Sequence, residues 1–226
     1  MKKQVIVVGL GRFGSSVAET LFNLGYDVLA VDKDEARIQS IATRVTHAVQ
    51  GDATSEAVLK ELGIEKFDVA IVAVGTDIQS SVLSTILLKR LGVPYIIARA
   101  ENELHGSILE KIGADKVVYP EREMGSRVVH VLTLKDVVDY IPVLQRYGVA
   151  KLVAPPYFAG MTLSDAGFGR KGKWGVVALL VQHGNELVVA PSDTEIMREG
   201  DILVVIGSDD KLEGLLTEHG RGQTGE

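Results

Sequence analysis

The sequence of 226 residues contains no cysteine. That excludes disulfides, thiolate metal sites and a cysteine nucleophile, and it fits a reducing compartment. Basic residues are also scarce relative to acids, 24 Lys and Arg against 30 Asp and Glu, for a net charge of −6. Without a Lys/Arg cluster there is no basic face for a phosphate backbone, so nucleic acid is not expected as a partner. No apolar run reaches the ~18 residues that span a bilayer. Met1-Lys2-Lys3-Gln4 leads straight into an apolar strand with no signal-peptide core or cleavage site. What the chain does have is 46% hydrophobic and 24% charged residues, enough for a sizeable core in one large domain or two small ones.

The most informative stretch is the first 32 residues, where Val5-Ile6-Val7-Val8 runs into Gly9-Leu10-Gly11-Arg12-Phe13-Gly14 and a second apolar strand ends at Asp32. This order is that of a dinucleotide-type βαβ unit. Gly9 permits the tight turn, Gly11 lets a phosphate approach the backbone, and Gly14 lets the following helix pack close to the strand. The helix N-terminus then offers free N–H groups to an anion. Asp32 follows Gly11 at the spacing at which a carboxylate meets ribose hydroxyls. A turn that only packs is the alternative use of the same glycines.

From Gln4 to about Tyr119, β-branched runs alternate with amphipathic segments. Strands are expected at Val5–Val8, Val28–Val31, His47–Gln50, Val69–Ala73, Tyr95–Arg99 and Lys116–Tyr119, and helices at Phe13–Leu24, Glu35–Thr43, Ser55–Leu62, Ile78–Leu91 and Glu103–Ile112. Apolar strands separated by helices specify an α/β fold, a Rossmann-like doubly wound parallel sheet covered on both faces. Gly25, Gly63, Gly92 and Gly113 stand where helices should stop. Ligands then bind at the carboxyl ends of the strands.

After Pro120 the rhythm changes. Glu121–Leu132 reads as one more helix, and a mixed segment interrupted by Pro142, Pro155 and Pro156 ends at Gly160. Strands are expected at Val149–Ala154, Trp174–Val181, Glu186–Ala190 and Asp201–Gly207, with short helices at Leu163–Ala166 and Asp210–His219. His183-Gly184-Asn185 marks a hairpin. The expected organisation is an N-terminal nucleotide-binding domain with its crossover helix (1–134), a second, smaller α+β domain (135–219) and a disordered tail (220–226).

The glycine motif, Ala30-Val31-Asp32, Gly51-Asp52-Ala53-Thr54, Ile112-Gly113-Ala114-Asp115 and Tyr119-Pro120-Glu121, followed by a small βαβ-type module, carry a resemblance over the chain to about His219. In these features the sequence resembles the cytosolic regulatory subunits of bacterial Ktr/Trk-type potassium-uptake systems. These consist of a regulator-of-potassium-conductance (RCK or KTN) domain and its C-terminal partner domain. A single glycine fingerprint makes it similar to the single-RCK Ktr form.

The resemblance implies a nucleotide site made of Gly9, Gly11, Arg12, Phe13, Gly14, Asp32, Lys33, Asp52, Ala53, Val74, Gly75, Thr76, Arg99, Ala100, Glu101 and His105. In such proteins the loop arginine, here Arg12, reaches the last phosphate of ATP, often across a dimer interface. Asp32 matches the ribose-binding acid, which would repel a 2′-phosphate and so disfavour NADP. His105, at the opening of its helix, either donates to a phosphate or stands there in solvent. Glu121 matches a glutamate that, with its counterpart in a second copy, holds Mg²⁺ or Ca²⁺ against the phosphates; an acid in the first turn of a helix is also favoured by the helix dipole alone. The C-terminal domain resembles modules that bind cyclic di-AMP at a dimer interface. Its basic loop of Arg170, Lys171 and Lys173 carries extra residues, so the contacts of those modules do not transfer to it, and it reads rather as a solvated charged turn.

The resemblance therefore implies a cytoplasmic nucleotide sensor, peripheral to the inner face of the membrane, that gates a potassium transporter as a dimer or octameric ring. The apolar positions Met124, Val128, Val131 and Leu132 and the segment Val137–Leu144 would serve either such contacts or the core. An NAD(H)-binding redox sensor and an NAD-dependent oxidoreductase are the alternatives. A dehydrogenase needs a general acid/base and a substrate cleft beside the nicotinamide, and His47, His105, His130, His183 and His219 show no catalytic or metal-ligand spacing.

Overall fold

The computed structural model describes residues 2–133 and 136–218. The chain forms two compact units, residues 1–121 and 122–226. In the first, β1 (Gln4–Val8), β2 (Asp27–Asp32), β3 (His47–Gln50), β4 (Val69–Val72), β5 (Tyr95–Arg99) and β6 (Lys116–Val118) make a six-stranded sheet in the order β3-β2-β1-β4-β5-β6. Every pair is parallel. Helices α1 (Arg12–Asn23), α2 (Glu35–Ile41), α3 (Glu56–Glu61), α4 (Ile78–Arg90) and α5 (Glu103–Lys111) join successive strands.

The alternation within β1 explains why both faces are covered. Val5 and Val7 pack with Ala18 of α1 and Ile41 of α2, whereas Ile6 and Val8 pack with Leu59, Leu88 and Leu109 of α3, α4 and α5. Burying such side chains stabilises the unit by roughly 1.5–3 kcal/mol each for the larger ones. The expected helix-stop glycines Gly25, Gly63, Gly92 and Gly113 all have positive φ.

Register sets the height of the strand ends. Val8 lies opposite Val31 on one side and Val72 on the other. Gly9 then donates to the Val31 carbonyl at 2.9 Å, and Ala73 to the Val8 carbonyl at 2.7 Å. Gly9, Asp32 and Ala73 thereby stand level at the carboxyl rim, where the strand order reverses.

The second unit carries most of α6 (Pro120–Thr133), then β7 (Val137–Leu144), β8 (Tyr147–Val153), β9 (Val177–His183), β10 (Glu186–Val189), β11 (Ile202–Ser208) and α7 (Asp209–Glu218). Its five strands are ordered β10-β9-β11-β8-β7, every pair antiparallel. This makes it an α+β domain but corrects the expected βαβ-type linkage.

β7 is a further correction, since the segment with Pro142 read as irregular. Proline lacks a donor yet is tolerated on a sheet edge, and β7 is one of the two edge strands, with an irregular register beside Pro142. No helix forms at Leu163–Ala166. One α-turn closes there, Ala166 to the Thr162 carbonyl, before Gly167 enters positive φ, and a single turn does not sustain a helix. The hairpin falls where expected: His183 pairs with Glu186 around Gly184, whose φ is +58°. The segment 220–226, expected to be a disordered tail, lies outside the described residues.

Candidate functional site

The carboxyl ends of β1, β2, β3, β4 and β5 surround a cleft of about 410 Å³, within the range of small-molecule sites. The glycine loop forms its floor. Gly9 has φ +90°, a conformation that L side chains rarely adopt, and Gly11, the N-cap of α1, has nothing within 4 Å of where a Cβ would stand. Gly14 is buried below the cleft, where a Cβ would collide with the Gly9 carbonyl oxygen. No side chain caps α1, so its first N–H groups are available to an anion.

The cleft gathers most of the residues singled out in the sequence. Gly9, Gly11, Arg12 and Phe13 come from the loop and α1, Asp32 and Lys33 from the end of β2, and Asp52 and Ala53 from the end of β3. Val74, Gly75 and Thr76 follow β4, Arg99 ends β5, and Glu121 starts α6. Ala100, Glu101 and His105 do not line it. Ala100 is in the core, and His105 is 1% exposed in the first turn of α5, its Nδ1 accepting from the Glu101 N–H at 3.3 Å. Burial holds the His105 imidazole below its ordinary value, the Glu101 charge opposing.

Sequence reasoning missed Arg37, Thr54, Asp77, Ser80 and Ser84 as lining residues. The signal for Asp77 and Ser80 was an N-cap pattern directly after a strand: Asp77 accepts from the Ser80 N–H at 3.0 Å and from its hydroxyl at 2.5 Å.

The acids and bases of the cleft are mostly matched. Asp32, its side chain 9% exposed, accepts from the Leu10 N–H at 2.6 Å and the Asp34 N–H at 2.9 Å and lies 3.3 Å from Arg37. It thus ties the glycine loop to the end of β2. Asp52 meets Lys33 at 3.2 Å. Burial pushes its carboxyl up, but hydrogen bonds from Thr54 and Lys33 and the Lys33 charge outweigh that and hold it below the usual carboxylate range. Arg99 donates to Glu121 at 2.5 Å. Arg12, exposed at the first position of α1, has no ion-pair partner among the described residues.

Glu121, its side chain 66% exposed, offers hard oxygen donors of the kind Mg²⁺ and Ca²⁺ take. No group of three or more His, Cys, Asp or Glu capable of holding a metal occurs among the described residues. A cation there would need further oxygens, which phosphates and water can supply. In the second unit, Lys171 and Lys173 border a hollow of about 460 Å³ also lined by Asp165, Asp193 and Trp174. Arg170 is not part of that lining. No helix among the described residues is long and apolar enough to cross a membrane.

Two family models match the chain, the TrkA-N domain over residues 5–120 and the TrkA-C domain over 149–218. Ktr system potassium uptake protein C of Bacillus subtilis is 43% identical over 92% of this chain and 93% of its own. Ktr system potassium uptake protein A of the same organism is 39% identical over 91% of each. Among solved structures, the GsuK RCK domain superposes with a TM-score of 0.65 at 19% identity, covering 96% of this chain and 48% of that one. The GsuK channel bound to NAD gives 0.62 at 18%, over 95% and 39%, and GsuK bound to ADP gives 0.51 at 18%, over 60% and 36%. This chain thus spans about half or less of those solved chains, and the likeness to them is one of fold.

Proposed function

Because the chain belongs to the Ktr- and Trk-type family of potassium-uptake proteins, carrying a TrkA-N and a TrkA-C domain, we propose that it is the cytoplasmic regulatory subunit of such a system. It binds an adenine nucleotide, ATP or ADP, in the parallel-sheet cleft and gates a membrane potassium transporter to which it docks peripherally. The observation that carries this reading is Arg12: an unpaired guanidinium beside an uncapped helix N-terminus, in a cleft whose other arginines and lysine have carboxylate partners. A fixed cation at the phosphate seat favours the ligand with more charge there.

Gating follows from differential affinity. ATP, its last phosphate held by Arg12 and by Mg²⁺ or Ca²⁺ on Glu121, favours one arrangement of neighbouring copies, and ADP favours another. Moving such an equilibrium from 1:99 to 99:1 takes ~5.5 kcal/mol. Divided over about eight sites of an octameric ring, that is roughly 0.7 kcal/mol each, less than one charge-assisted hydrogen bond. Assembly into a dimer or ring is supported by the exposed apolar side chains Ile78, Leu83 and Ile86 of α4, which lie apart from its buried Ser81, Ser84, Thr85 and Leu88. Met124, Val128 and Leu132 of α6 are exposed as well.

NAD(H) is the second reading, favoured by Asp32 and by the NAD-bound GsuK neighbour. The sensor is preferred to an oxidoreductase because the relatives that match nearly the whole chain are potassium-uptake proteins.

Thermal melting with ATP, ADP, NADH, NADPH and cyclic di-AMP, with and without Mg²⁺ or Ca²⁺, tests the proposal. A ligand at a hundred times its Kd stabilises by about 2.7 kcal/mol, and ATP should stabilise more than NADPH. No shift with any adenine nucleotide sinks the reading, and substrate-dependent NADH oxidation replaces it with the enzyme. A monomer by light scattering under all conditions removes the ring.

A further inference from the structure

Arg99 is held differently from every other cation of the cleft. Its side chain is only 18% exposed, whereas that of Glu121, its partner at 2.5 Å, is 66% exposed. The guanidinium lies flat against Gly75, where a Cβ would overlap its Nη1, Cζ and Nε. Its Nε is buried without an acceptor among the described residues. Gly75 and Arg99 therefore act as one unit, a planar cation seated in the wall of the cleft, with Nη2 turned to the exposed carboxylate.

We infer that Arg99 is the resident counter-cation of Glu121 and sets how tightly the site takes a divalent ion, because the ion must displace the guanidinium from the same carboxylate. The inference rests on the reading above that Glu121 is an ion ligand. The competition is a matter of distance. Mg²⁺ and Ca²⁺ sit about 2.0–2.6 Å from their oxygens, and Arg99 Nη2 already lies 2.5 Å from Oε1. A divalent ion and a guanidinium on the same carboxylate would stand within roughly 5 Å of each other, and their mutual repulsion opposes binding of the ion while the guanidinium stays. Of the two partners, the exposed Glu121 has room to swing, while Arg99 is pinned on Gly75. Arg99 thus lowers the ion affinity of the site without touching the ion, as a positioning residue for Glu121.

The test is calcium binding to the full chain loaded with ATP, measured by equilibrium dialysis after excess nucleotide is removed, with bound nucleotide quantified in each sample. The parent is compared with Arg99→Gln, Gly75→Ala and Glu121→Gln. Removing an ion pair of this exposure should tighten calcium about fivefold in Arg99→Gln. Gly75→Ala, which displaces the guanidinium but keeps its charge, should shift affinity in the same direction, and it answers the question alone if Arg99→Gln fails to fold. Unchanged or weaker calcium in the folded variants, with Glu121→Gln still losing the ion, overturns the counter-cation while leaving Glu121 as ligand. Calcium bound equally well by Glu121→Gln and the parent overturns both.

Discussion

Replacing Arg12 with alanine separates the last phosphate from everything else the cleft contacts. Arg12 is exposed and has no ion-pair partner among the described residues, so its loss should change the stability of the nucleotide-free protein by no more than about 0.5 kcal/mol. With ATP bound, a charge-assisted hydrogen bond from guanidinium to phosphate contributes roughly 1.5–3 kcal/mol. That corresponds to a tenfold to 150-fold loss of ATP affinity, on the order of one to two decades. ADP lacks the contacted group and feels only a more distant charge: at about 7 Å in water-like dielectric the interaction is ~0.6 kcal/mol, less than threefold. Calorimetric titration of parent and Arg12→Ala with ATP and ADP, at one ionic strength and with magnesium present, reads the two effects side by side. Arg12→Lys should fall between them, keeping the charge but not the planar fork. Equal losses for both nucleotides, or an undiminished ATP affinity, would refute the assignment of Arg12 to the last phosphate.

Two further substitutions test how the site is built. Gly14→Ala places a methyl group inside the Gly9 carbonyl oxygen, so α1 must back away from the loop; a loss of about 1–3 kcal/mol is expected in urea unfolding, and an unmoved midpoint would show that the loop has slack. His105→Gln tests burial through pH. The folded imidazole is held below its ordinary value of 6.5, so as pH falls through that value the unfolded chain takes up a proton that the folded chain refuses. Stability should therefore decline below about pH 6.5 in the parent and less so in the variant. Urea midpoints from about pH 7.5 to 5.5 with identical slopes in both proteins would rule this out.

The parallel sheet was legible in the sequence because its central strands are apolar runs rich in β-branched residues, and four of the five helices between the strands, α2 being the exception, stop at a glycine of positive φ. Gly9, Gly11 and Asp32 could likewise be placed, since the turn after β1 and the spacing to β2 bring them to one rim. β7 was not legible. Whether a chain with Pro142 pairs as a strand depends on its lying at a sheet edge, and edge or centre is a property of the assembled sheet. The Leu163–Ala166 segment was misread for a related reason: a helical pattern one turn long needs support from contacts that the sequence does not display.

That a phosphate-sized gap opens at the start of α1 can be read from the residues alone, because a missing Cβ is a local fact independent of neighbours. Which charges stand free there depends on how the chain packs. Lys33, Arg37 and Arg99 are each matched by a carboxylate, Asp52, Asp32 and Glu121, and among the described residues Arg12 is left over. His105, equally polar on paper, was turned into the core. Pairing and burial are sums over residues far apart in the chain, brought within a few ångströms only when parallel strands end level with one another.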